Sequence, residues 1–457
     1  MRRTVVGAAL LGLALLVPAV PASAEIKTVT VRQGPFTLNP YEVRYTSRKT
    51  KVVKAPGLDG YLIGMHSRLV DLKGNPMPVQ RLMLHHIVYK DAGRYPGERT
   101  DPVCGGQAES FYGTGEENES LQLPPHYGYR IRKGDRWWTG WMLMNHKNRR
   151  ETGYIEYTAT IDTSPGLAHV TPYWLRATGC KNARDPIFTV PGGDVPGSHF
   201  YISQVFHLPR PGLLIAAGAH AHGGVHSLSL TQPGCGDRPL FTSTPTYGMP
   251  DHPYYHVLPV LHEPGPINMS WNQTGLGIPL GQGEPLKVVA DYDGEMPHVR
   301  AMGIMHIYVH HRPDVQASCD PVPNDITTTG TDTPGRTEPP KVRVPLTGLD
   351  SEGRPVTISR PPGGVRRFNG NVTVKVQDFS YNLRNISIPL GAKVRWRFLD
   401  NHTHNASLAN GPFGFASANL HHGESFAEQF TKPGVYRTFC SLHPVDMTQA
   451  IVVRNGR

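Results

Sequence analysis

The chain has 457 residues, a formal net charge of +10 at pH 7 and 23 histidines. A chain of this length is too long for one hydrophobic core, so we expect two to four domains. The basic residues are spread along the chain instead of forming a block or alternating with aromatics, which argues against nucleic acid as a partner. With 49 glycines and 43 prolines there is little room for long helices. Short runs rich in Val, Thr, Tyr and Ile between turn residues predict an all-β protein.

The N-terminus has the pattern of a secretory signal peptide. Arg2 and Arg3 precede an apolar stretch over residues 5–20, and a small-residue cleavage site ends at Ala24. We therefore predict that residues 1–24 are removed, by the general secretory route instead of twin-arginine export. The mature protein is then secreted, periplasmic or in the cell envelope. No later stretch approaches the roughly 18 apolar residues of a membrane span, so no transmembrane segment is expected after processing.

The five cysteines suit an oxidising compartment. Cys104, Cys180, Cys235 and Cys319 can form two disulfides in three alternative pairings. We favour Cys104 with Cys180 and Cys235 with Cys319. Cys440 is then left over and needs another role.

Residues 25–180 contain short strand-like runs separated by turns, and we predict a first β-sandwich here. His85 and His86 are adjacent in one of these runs. Neighbours on a regular strand point to opposite faces, so a metal shared by both requires a bulge or a strand end. The alternative is one ring inward and one outward. His146 ends a later run, just before a turn, where it would complete a three-imidazole site with His85 and His86.

Residues 181–320 form a second strand-rich segment, which we predict to be another β-sandwich. In its key stretch, residues 218–230, His220 and His222 are two positions apart. Residues i and i+2 of a strand project from one face, so both imidazoles can reach one metal ion. Neutral imidazole is the commonest metal ligand. The alternative is two partly exposed histidines on an antiparallel strand.

A run rich in histidine and methionine, HVRAMGIMHIYVHH, lies near the end of this segment. Met302, Met305, His306, His310 and His311 compete there as ligands. Methionine in a strand is usually a core residue, but its thioether suits Cu(I), whereas zinc sites use imidazole, thiolate or carboxylate. A set of two histidines and one methionine would therefore identify copper.

Four motifs in order, HHIV, MLMNH, HAHGGV and GIMHIYV, resemble the copper type II, ascorbate-dependent monooxygenases, which include the peptidylglycine α-hydroxylating and dopamine β-monooxygenases. The resemblance covers roughly residues 30–320. It implies two jelly-roll-like β-sandwich domains, each holding one copper, with an open solvent-filled cleft between them. It also implies the ligands of both coppers. The electron-supplying copper would be held by His85, His86 and His146, and the catalytic copper that binds O2 by His220, His222 and Met305.

Two departures from that family bear on the substrate and on the ligands. An arginine that helps to hold the substrate carboxylate in the peptide-hydroxylating enzyme is replaced here by Gly218, so a peptidylglycine substrate is not expected. Extra histidines leave room for alternative ligands; they are His226, His252, His256, His262 and His306.

Residues 321–341 are rich in Thr, Pro, Asp and Gly and lack apolar periodicity, which predicts an extended linker. Strand-like sequence segments resume over residues 342–457. Cys440, His443 and Met447 stand there as C-x2-H-x3-M, and an upstream histidine would complete the His2Cys set with weak axial Met of a blue-copper site. We assign that histidine to His404, with His402 as the competitor. As a thiolate ligand, Cys440 needs no disulfide partner.

This last segment resembles the plastocyanin-like cupredoxins, which implies a Greek-key β-sandwich with one type 1 copper. Together the two resemblances predict an exported copper-dependent monooxygenase that hydroxylates a C–H bond with O2. Up to two type 2 coppers would lie in the N-terminal pair of domains. The cupredoxin, tethered at high effective concentration, would relay electrons from a small-molecule or protein donor, and the substrate is an unknown organic molecule.

Two other functions remain open from the sequence. One is a non-catalytic exported copper-binding protein that transfers electrons. The other is a zinc hydrolase, which is weaker because Met305 would have no role and no partnered general-base carboxylate is evident.

Overall fold

The computed structural model describes residues 25–181, 185–193, 195–330, 333–342, 344, 346–358 and 360–455. The predicted signal peptide lies outside the described residues. The described part consists of strands and two short 3-10 helices, so the all-β prediction is confirmed. No described segment forms an apolar helix long enough to cross a bilayer.

The first domain is a sandwich of two sheets. Its strands are β1 Ile26–Leu38, β2 Val43–Tyr45, β3 Val52–Val53, β4 Gly60–Val70, β5 Leu82–Asp91, β6 Glu109–Gly115, β7 Leu121–Gln122, β8 Tyr127–Ile131, β9 Trp137–Asn145, β10 Glu151–Asp162 and β11 Ala168–His169. One sheet has the order β1-β10-β4-β8-β11, with β7 beside β4, and the other has the order β2-β9-β5-β6, with β3 beside β9. The two sheets enclose an aromatic core that includes Trp137, Trp141 and Tyr89.

Strand β10 illustrates why this sequence forms a sandwich. Ile155, Tyr157, Ala159 and Ile161 are each at most 1% exposed, and they alternate with residues that face outward over much of the strand. A period of two places one set of side chains on the inner face of a sheet. The alternation therefore fixes which side of the strand enters the core.

The second domain is another two-sheet sandwich. Its strands are β12 Thr171–Arg176, β13 Ile187–Val190, β14 His199–His207, β15 Gly212–Ala221, β16 Val225–Gln232, β17 Arg238–Ser243, β18 Pro245–Thr246, β19 Asn268–Met269, β20 Trp271–Leu280, β21 Pro285–Asp293, β22 His298–His311 and β23 Thr327–Thr329, with 3-10 helices at Pro233–Cys235 and Pro253–His256. One sheet has the order β12-β22-β15-β20-β23, with β13 beside β22, and the other is β14-β21-β16-β17. Strands β18 and β19 form a separate pair.

Two disulfides staple these domains, in the pairing that we favoured. Cys104–Cys180 has a Cα–Cα distance of 5.2 Å, and Cys235–Cys319 one of 5.4 Å. Among the described residues Cys440 is the free cysteine, and it is buried. Disulfides of this kind persist in oxidising compartments, which agrees with an extracellular protein.

The segment predicted as a linker runs along the second domain. Its residues Thr327–Thr329 form strand β23, which pairs with β20. Further on, Arg336 and Tyr247 exchange two backbone hydrogen bonds of 2.8 Å. The composition of 321–341 predicted an extended linker, and in its described part residues 327–329 and Arg336 are held against the sandwich by these backbone bonds.

The third domain is a two-sheet sandwich with mixed parallel and antiparallel pairing. Its strands are β24 Thr347–Leu349, β25 Pro355–Thr357, β26 Arg366–Arg367, β27 Val372–Gln377, β28 Ser380–Tyr381, β29 Asn385–Pro389, β30 Lys393–Phe398, β31 Ser407–Asn410, β32 Ser425–Gln429, β33 Gly434–Phe439 and β34 Thr448–Arg454. The sheets have the orders β26-β29-β34-β33-β31 and β28-β27-β30-β32. Trp396 is fully buried between them and donates its indole N–H to Gln449 at 3.0 Å.

The three domains meet at one place. A continuous apolar cluster joins Met83, Met142 and Met144 of the first domain to Tyr254 and Leu261 of the second and to the core of the third. The third domain is therefore packed against the other two, at the junction between them.

Candidate metal centres

One candidate centre lies at an end of the third domain, where His404, Cys440 and His443 converge. Their potential ligand atoms all lie within 4.8 Å of one another. The Nδ1 atoms of His404 and His443 are 3.1 Å apart, and Cys440 Sγ is 3.6 Å from His443 Nδ1. His402 is exposed and packs its ring on Phe379 instead. Of the two histidines considered from the sequence, His404 is thus the one beside the thiol.

The loop from Cys440 to Met447 holds the remaining donor. Three backbone hydrogen bonds of 3.0 Å close it: His443 donates to Cys440, Met447 to His443, and Cys440 to Met447. Met447 is fully buried at the end of this loop. The set thus contains the donor types that copper takes in a blue-copper site.

The surroundings of Cys440 and His443 favour a bound cation. Burial raises the pKa of the Cys440 thiol, while the Asn405 N–H, 3.4 Å from Sγ, lowers it. A thiolate at this buried position therefore needs positive charge beside it. Burial and the neighbouring His404 lower the pKa of His443 to about 4, so the ring is neutral at pH 7 and free to bind a metal. These residues fit copper.

A second group of histidines lies where the first two domains meet. His85 and His86 come from the first domain and His222 from the second, and their candidate ligand atoms also lie within 4.8 Å of one another. The ring centroids of His85 are 5.2 Å from those of His86 and 4.8 Å from those of His222.

A β-bulge brings the adjacent pair to the same site. The register between β5 and β9 shifts between Leu84 and His86, which leaves His85 as the extra residue. His86 lies opposite Met142 across the two strands. Met142 belongs to the apolar cluster at the domain junction, so the side chain of His86 is on the face that meets the other domains. This is the irregularity that the sequence required for a metal shared by two neighbouring histidines.

His220 and His222 of the second domain are each held by a partner on one ring nitrogen only. His222 donates from Nδ1 to the Arg300 carbonyl at 2.6 Å, and His220 Nδ1 is 2.8 Å from the Glu117 carboxylate. The Nε2 atoms of both rings are buried and have no hydrogen-bond partner among the described residues. An imidazole that is anchored at one nitrogen and bare at the other is typical of a metal ligand. These two buried Nε2 atoms without hydrogen-bond partners are the feature of the site that fits bound copper.

The pKa values of His220 and His222 are shifted in opposite directions. Burial and the neighbouring His85 hold the pKa of His222 well below its ordinary value, so this ring is neutral. Burial opposes protonation of His220 as well, but the Glu117 carboxylate, helped by Glu116 and Glu119, outweighs it and the pKa of His220 is raised.

The methionine assigned by resemblance does not join this group. Met305 pairs with Ala219 in the sheet, and both are fully buried in the core of the second domain. Successive residues of a strand face opposite sides, so Met305 lies on the face away from His220 and His222. Met302, three residues earlier, lines the same cavity as His222. The assignment of Met305 is therefore corrected to Met302, the thioether of the same strand that lies on the cavity side with these histidines.

The arrangement also differs from two coppers across an open cleft. His86 of the first domain has its ring centroid 5.9 Å from that of His220 and 6.4 Å from that of His222. Histidines of the two domains therefore form one cluster. His146 is not in the three-histidine set. It is buried beside the Pro259 carbonyl, and at least one of its ring nitrogens has no hydrogen-bond partner in the described part of the chain. Burial and the nearby His262 lower the pKa of His146 to about 3.

The other candidate histidines lie elsewhere. His306 is fully buried between Trp174 and Trp271, with Nε2 3.0 Å from the Glu119 carboxylate. Five other candidate histidines belong to none of the groups of potential metal ligands found among the described residues. They are His226, His252, His256, His310 and His311.

Cavities connect the two centres. The larger one has a volume of about 1110 Å³ and is lined by His86 and His220 on one side and His443 on the other. A smaller one, of about 90 Å³, is lined by the three-histidine set together with four methionines; these are Met142, Met144, Met296 and Met302.

Arg300 was not singled out by the sequence, yet it contacts both the histidine cluster and the third domain. Its carbonyl accepts from His222, and its guanidinium donates to the Ser417 carbonyl of the third domain at 3.3 Å and to Asp185 at 3.1 Å. Tyr45 makes polar contacts with Arg300 and with Asn419 of the third domain. No local motif marks these residues, since they are brought together by domain packing.

A further step reaches the thiol of Cys440. The Asn405 side chain donates to Asn419 at 2.9 Å, and the Asn405 backbone N–H faces Cys440 Sγ. Polar contacts therefore run without a break from Cys440 to His222, by way of Asn405, Asn419, Tyr45 and Arg300.

Comparison with known proteins identifies the class of the third domain. Residues 368–454 match the family model of copper binding proteins of the plastocyanin/azurin family. The third domain is therefore a copper-binding cupredoxin domain, of the kind that holds a type 1 copper.

Solved structures similar to the chain include several amicyanins. A reduced Cu(I) form of an amicyanin mutant at pH 4 is 23% identical, with a TM-score of 0.18, and the reduced state of another mutant is 24% identical, with a TM-score of 0.17. In both cases the match covers 19% of this chain and 83% of the amicyanin. No curated protein matches the chain significantly.

Proposed function

We propose that this chain is an exported copper-dependent monooxygenase, in which the cupredoxin domain supplies electrons to a copper-binding histidine cluster shared by the first two domains. The observation that carries the proposal is the cavity of about 1110 Å³ that His86 and His220 share with His443. This cavity brings together a one-electron carrier, buried imidazoles with ring nitrogens that lack hydrogen-bond partners, and space for an organic molecule.

Copper bound at these residues would supply one-electron transfer at the cupredoxin end and O2 reduction at the histidine cluster. The chain positions the donors. The Glu117 carboxylate and the Arg300 carbonyl orient the rings of His220 and His222, and the Met302 thioether suits the reduced form of copper.

Apolar surface beside the cluster can hold the substrate. Trp141, Trp174 and Ile304 line the same cavity as His86 and His220. Binding pockets for small molecules are typically apolar with a few directed polar groups. The lining therefore favours an organic substrate whose C–H bond is presented to the histidines.

The reaction is R–H + O2 + 2 e⁻ + 2 H⁺ → R–OH + H2O. The C–H and O–O bonds break, one oxygen atom joins carbon, and the other leaves as water. Both electrons come from an external one-electron donor of small-molecule or protein type, and the protons come from solvent in the open cavity. The cupredoxin can supply the electrons singly because its docked position leaves His443 on the cavity wall.

The test uses the full mature chain loaded with copper, ascorbate as donor and a panel of small aromatic and aliphatic compounds under ¹⁸O2. We expect a hydroxylated product that contains one ¹⁸O atom, lost in His222→Ala and retained in the exposed control His256→Ala. Cys440→Ser should slow turnover when a protein is the donor. If no compound is hydroxylated while the blue absorption band of the cupredoxin is present, the proposal is wrong. The chain would then be an electron-transfer protein, the function that the cupredoxin domain alone supports.

A further inference from the structure

A second group of potential ligands adjoins the three-histidine set and shares one residue with it. Glu116, which follows β6, and His262, in the segment between β18 and β19, lie with His85 so that their candidate ligand atoms are within 4.8 Å of one another. Glu116 Oε1 contacts His85 Nδ1 and is 3.2 Å from His262 Nε2. The Glu116 and His85 side chains are each only 7% exposed.

The Glu116 carboxylate is held in a fixed orientation. Its Oε2 atom accepts from the Tyr254 hydroxyl and from the Gly265 N–H, the latter at 2.9 Å. These two donors come from the second domain and leave Oε1 directed at the two imidazoles. Glu116 thus spans the junction between the first two domains.

The hydrogen bonds of His262 leave two acceptors facing each other. His262 Nδ1 is 2.7 Å from the Glu263 carbonyl, and a carbonyl only accepts, so the ring proton is on Nδ1. In the neutral ring Nε2 then carries a lone pair, and it points at Glu116 Oε1. Two buried acceptors at 3.2 Å are unfavourable unless a cation lies between or beside them.

An independent observation also indicates a ligand at this place. His146 is 3% exposed, and the Pro259 carbonyl is the backbone acceptor beside its ring, so at least one of its two ring nitrogens has no hydrogen-bond partner among the described residues. The groups that influence its charge state include His262 and Glu116, so it lies beside this set. A buried imidazole nitrogen without a partner is costly unless something binds it.

We propose that Glu116, His262 and His85 hold a divalent metal ion of their own, next to the ion held by the three-histidine set, with His146 as a further imidazole beside it. A carboxylate together with imidazoles is a harder donor set than histidines with methionine, so the position favours Zn²⁺ or Cu²⁺ over Cu⁺. His85 belongs to both sets, so the two positions are adjacent, and when both are filled His85 bridges them as an imidazolate whose ring proton is released to solvent. The inference does not depend on the monooxygenase proposal, because it concerns metal content and not turnover.

The test counts metal ions in the full mature chain with Cys440→Ser, which removes the thiolate of the cupredoxin site. The protein is saturated with Zn²⁺ or Cu²⁺, passed over a desalting column with a weak competing chelator, and analysed by mass spectrometry for bound metal. We expect two equivalents in this background and one in both Glu116→Gln and His262→Gln. The matched control is His256→Gln, an exposed histidine in the same segment, which should keep two.

The two substitutions lie in different domains, and the equivalent that remains in each reports that the protein is folded. Retention of both equivalents in Glu116→Gln and His262→Gln would overturn the proposal. It would mean that a proton, in an imidazolium–carboxylate pair, occupies the place assigned to the metal. A single equivalent in the Cys440→Ser background itself would overturn it equally.

Discussion

Replacing Glu117 by Gln tests whether His220 is a metal ligand supported by a carboxylate. Glu117 Oε1 is 2.8 Å from His220 Nδ1, and the side chains are 1% and 8% exposed. The other carboxylate oxygen has no hydrogen-bond partner in the described structure, so His220 is the main group that this charge serves. Loss of such a supporting carboxylate typically weakens metal binding about 10- to 100-fold, which corresponds to about 1.4–2.7 kcal/mol.

The size of the loss should depend on pH in a direction that the structure sets. In the wild type burial lowers the pKa of His220, but Glu117, with smaller contributions from Glu116 and Glu119, raises it above its ordinary value, so protons compete with the metal up to a higher pH. In Glu117→Gln that pKa falls, and the competition ends at a lower pH. The difference in metal affinity between wild type and variant should therefore be largest above the raised pKa, where His220 is deprotonated in both proteins. It should shrink as the pH falls through that pKa, because His220 then becomes protonated in the wild type first.

The assay is competition for Cu²⁺ between the protein and a chromophoric chelator at pH 6 and pH 9, in the Cys440→Ser background. The matched control is Glu284→Gln, which changes a buried carboxylate that accepts from Gln232 at 3.1 Å, away from the histidines. The reasoning is refuted if Glu117→Gln binds as tightly as the wild type at pH 9. It is also refuted if the deficit is the same at both pH values.

Three further predictions concern individual ligands and contacts. His404→Ala should abolish the intense visible absorption band of the copper-loaded cupredoxin, whereas His402→Ala should retain it, as measured by absorption spectroscopy. Met302→Leu should weaken Cu⁺ binding by the histidine cluster at least about tenfold, with Met305→Leu close to wild type in the same chelator competition, because Met302 faces the cavity and Met305 faces the core. Tyr45→Phe should slow electron transfer out of the reduced cupredoxin by roughly tenfold without changing its reduction potential; a pulse-radiolysis rate equal to the wild type would contradict this.

Local sequence signals predicted the elements and much of the cupredoxin site. Alternating apolar residues such as those of β10 determine a strand and its inner face, and this needs no knowledge of the partner strand. The same is true of Cys440, His443 and Met447, because a single tight loop carries all three. Their spacing along the chain is nearly the geometry of the site.

The histidine cluster was predicted only in part, for physical reasons. The spacing of His220 and His222 was sufficient to place them on one face, but the face of Met305 depends on the register of β22 against β15. A shift of one residue reverses every side chain of a strand, and that register could not be predicted from local sequence features. Glu116 was not predicted, and His262 was only one of several extra histidines, for another reason: their neighbours are set by the packing of two domains.

Arg300 indicates that the docked position of the cupredoxin domain is part of the site. Its φ of 56° is in the left-handed region, which costs a non-glycine residue roughly 1–2 kcal/mol. Such a conformation persists only where the surroundings determine it strongly, and it is concentrated at functional sites. Here the carbonyl is bound by His222 and the guanidinium by Ser417 and Asp185. One strained residue therefore orients a ring of the histidine cluster and anchors the domain that carries Cys440, so a change in the docking of that domain is transmitted directly to His222.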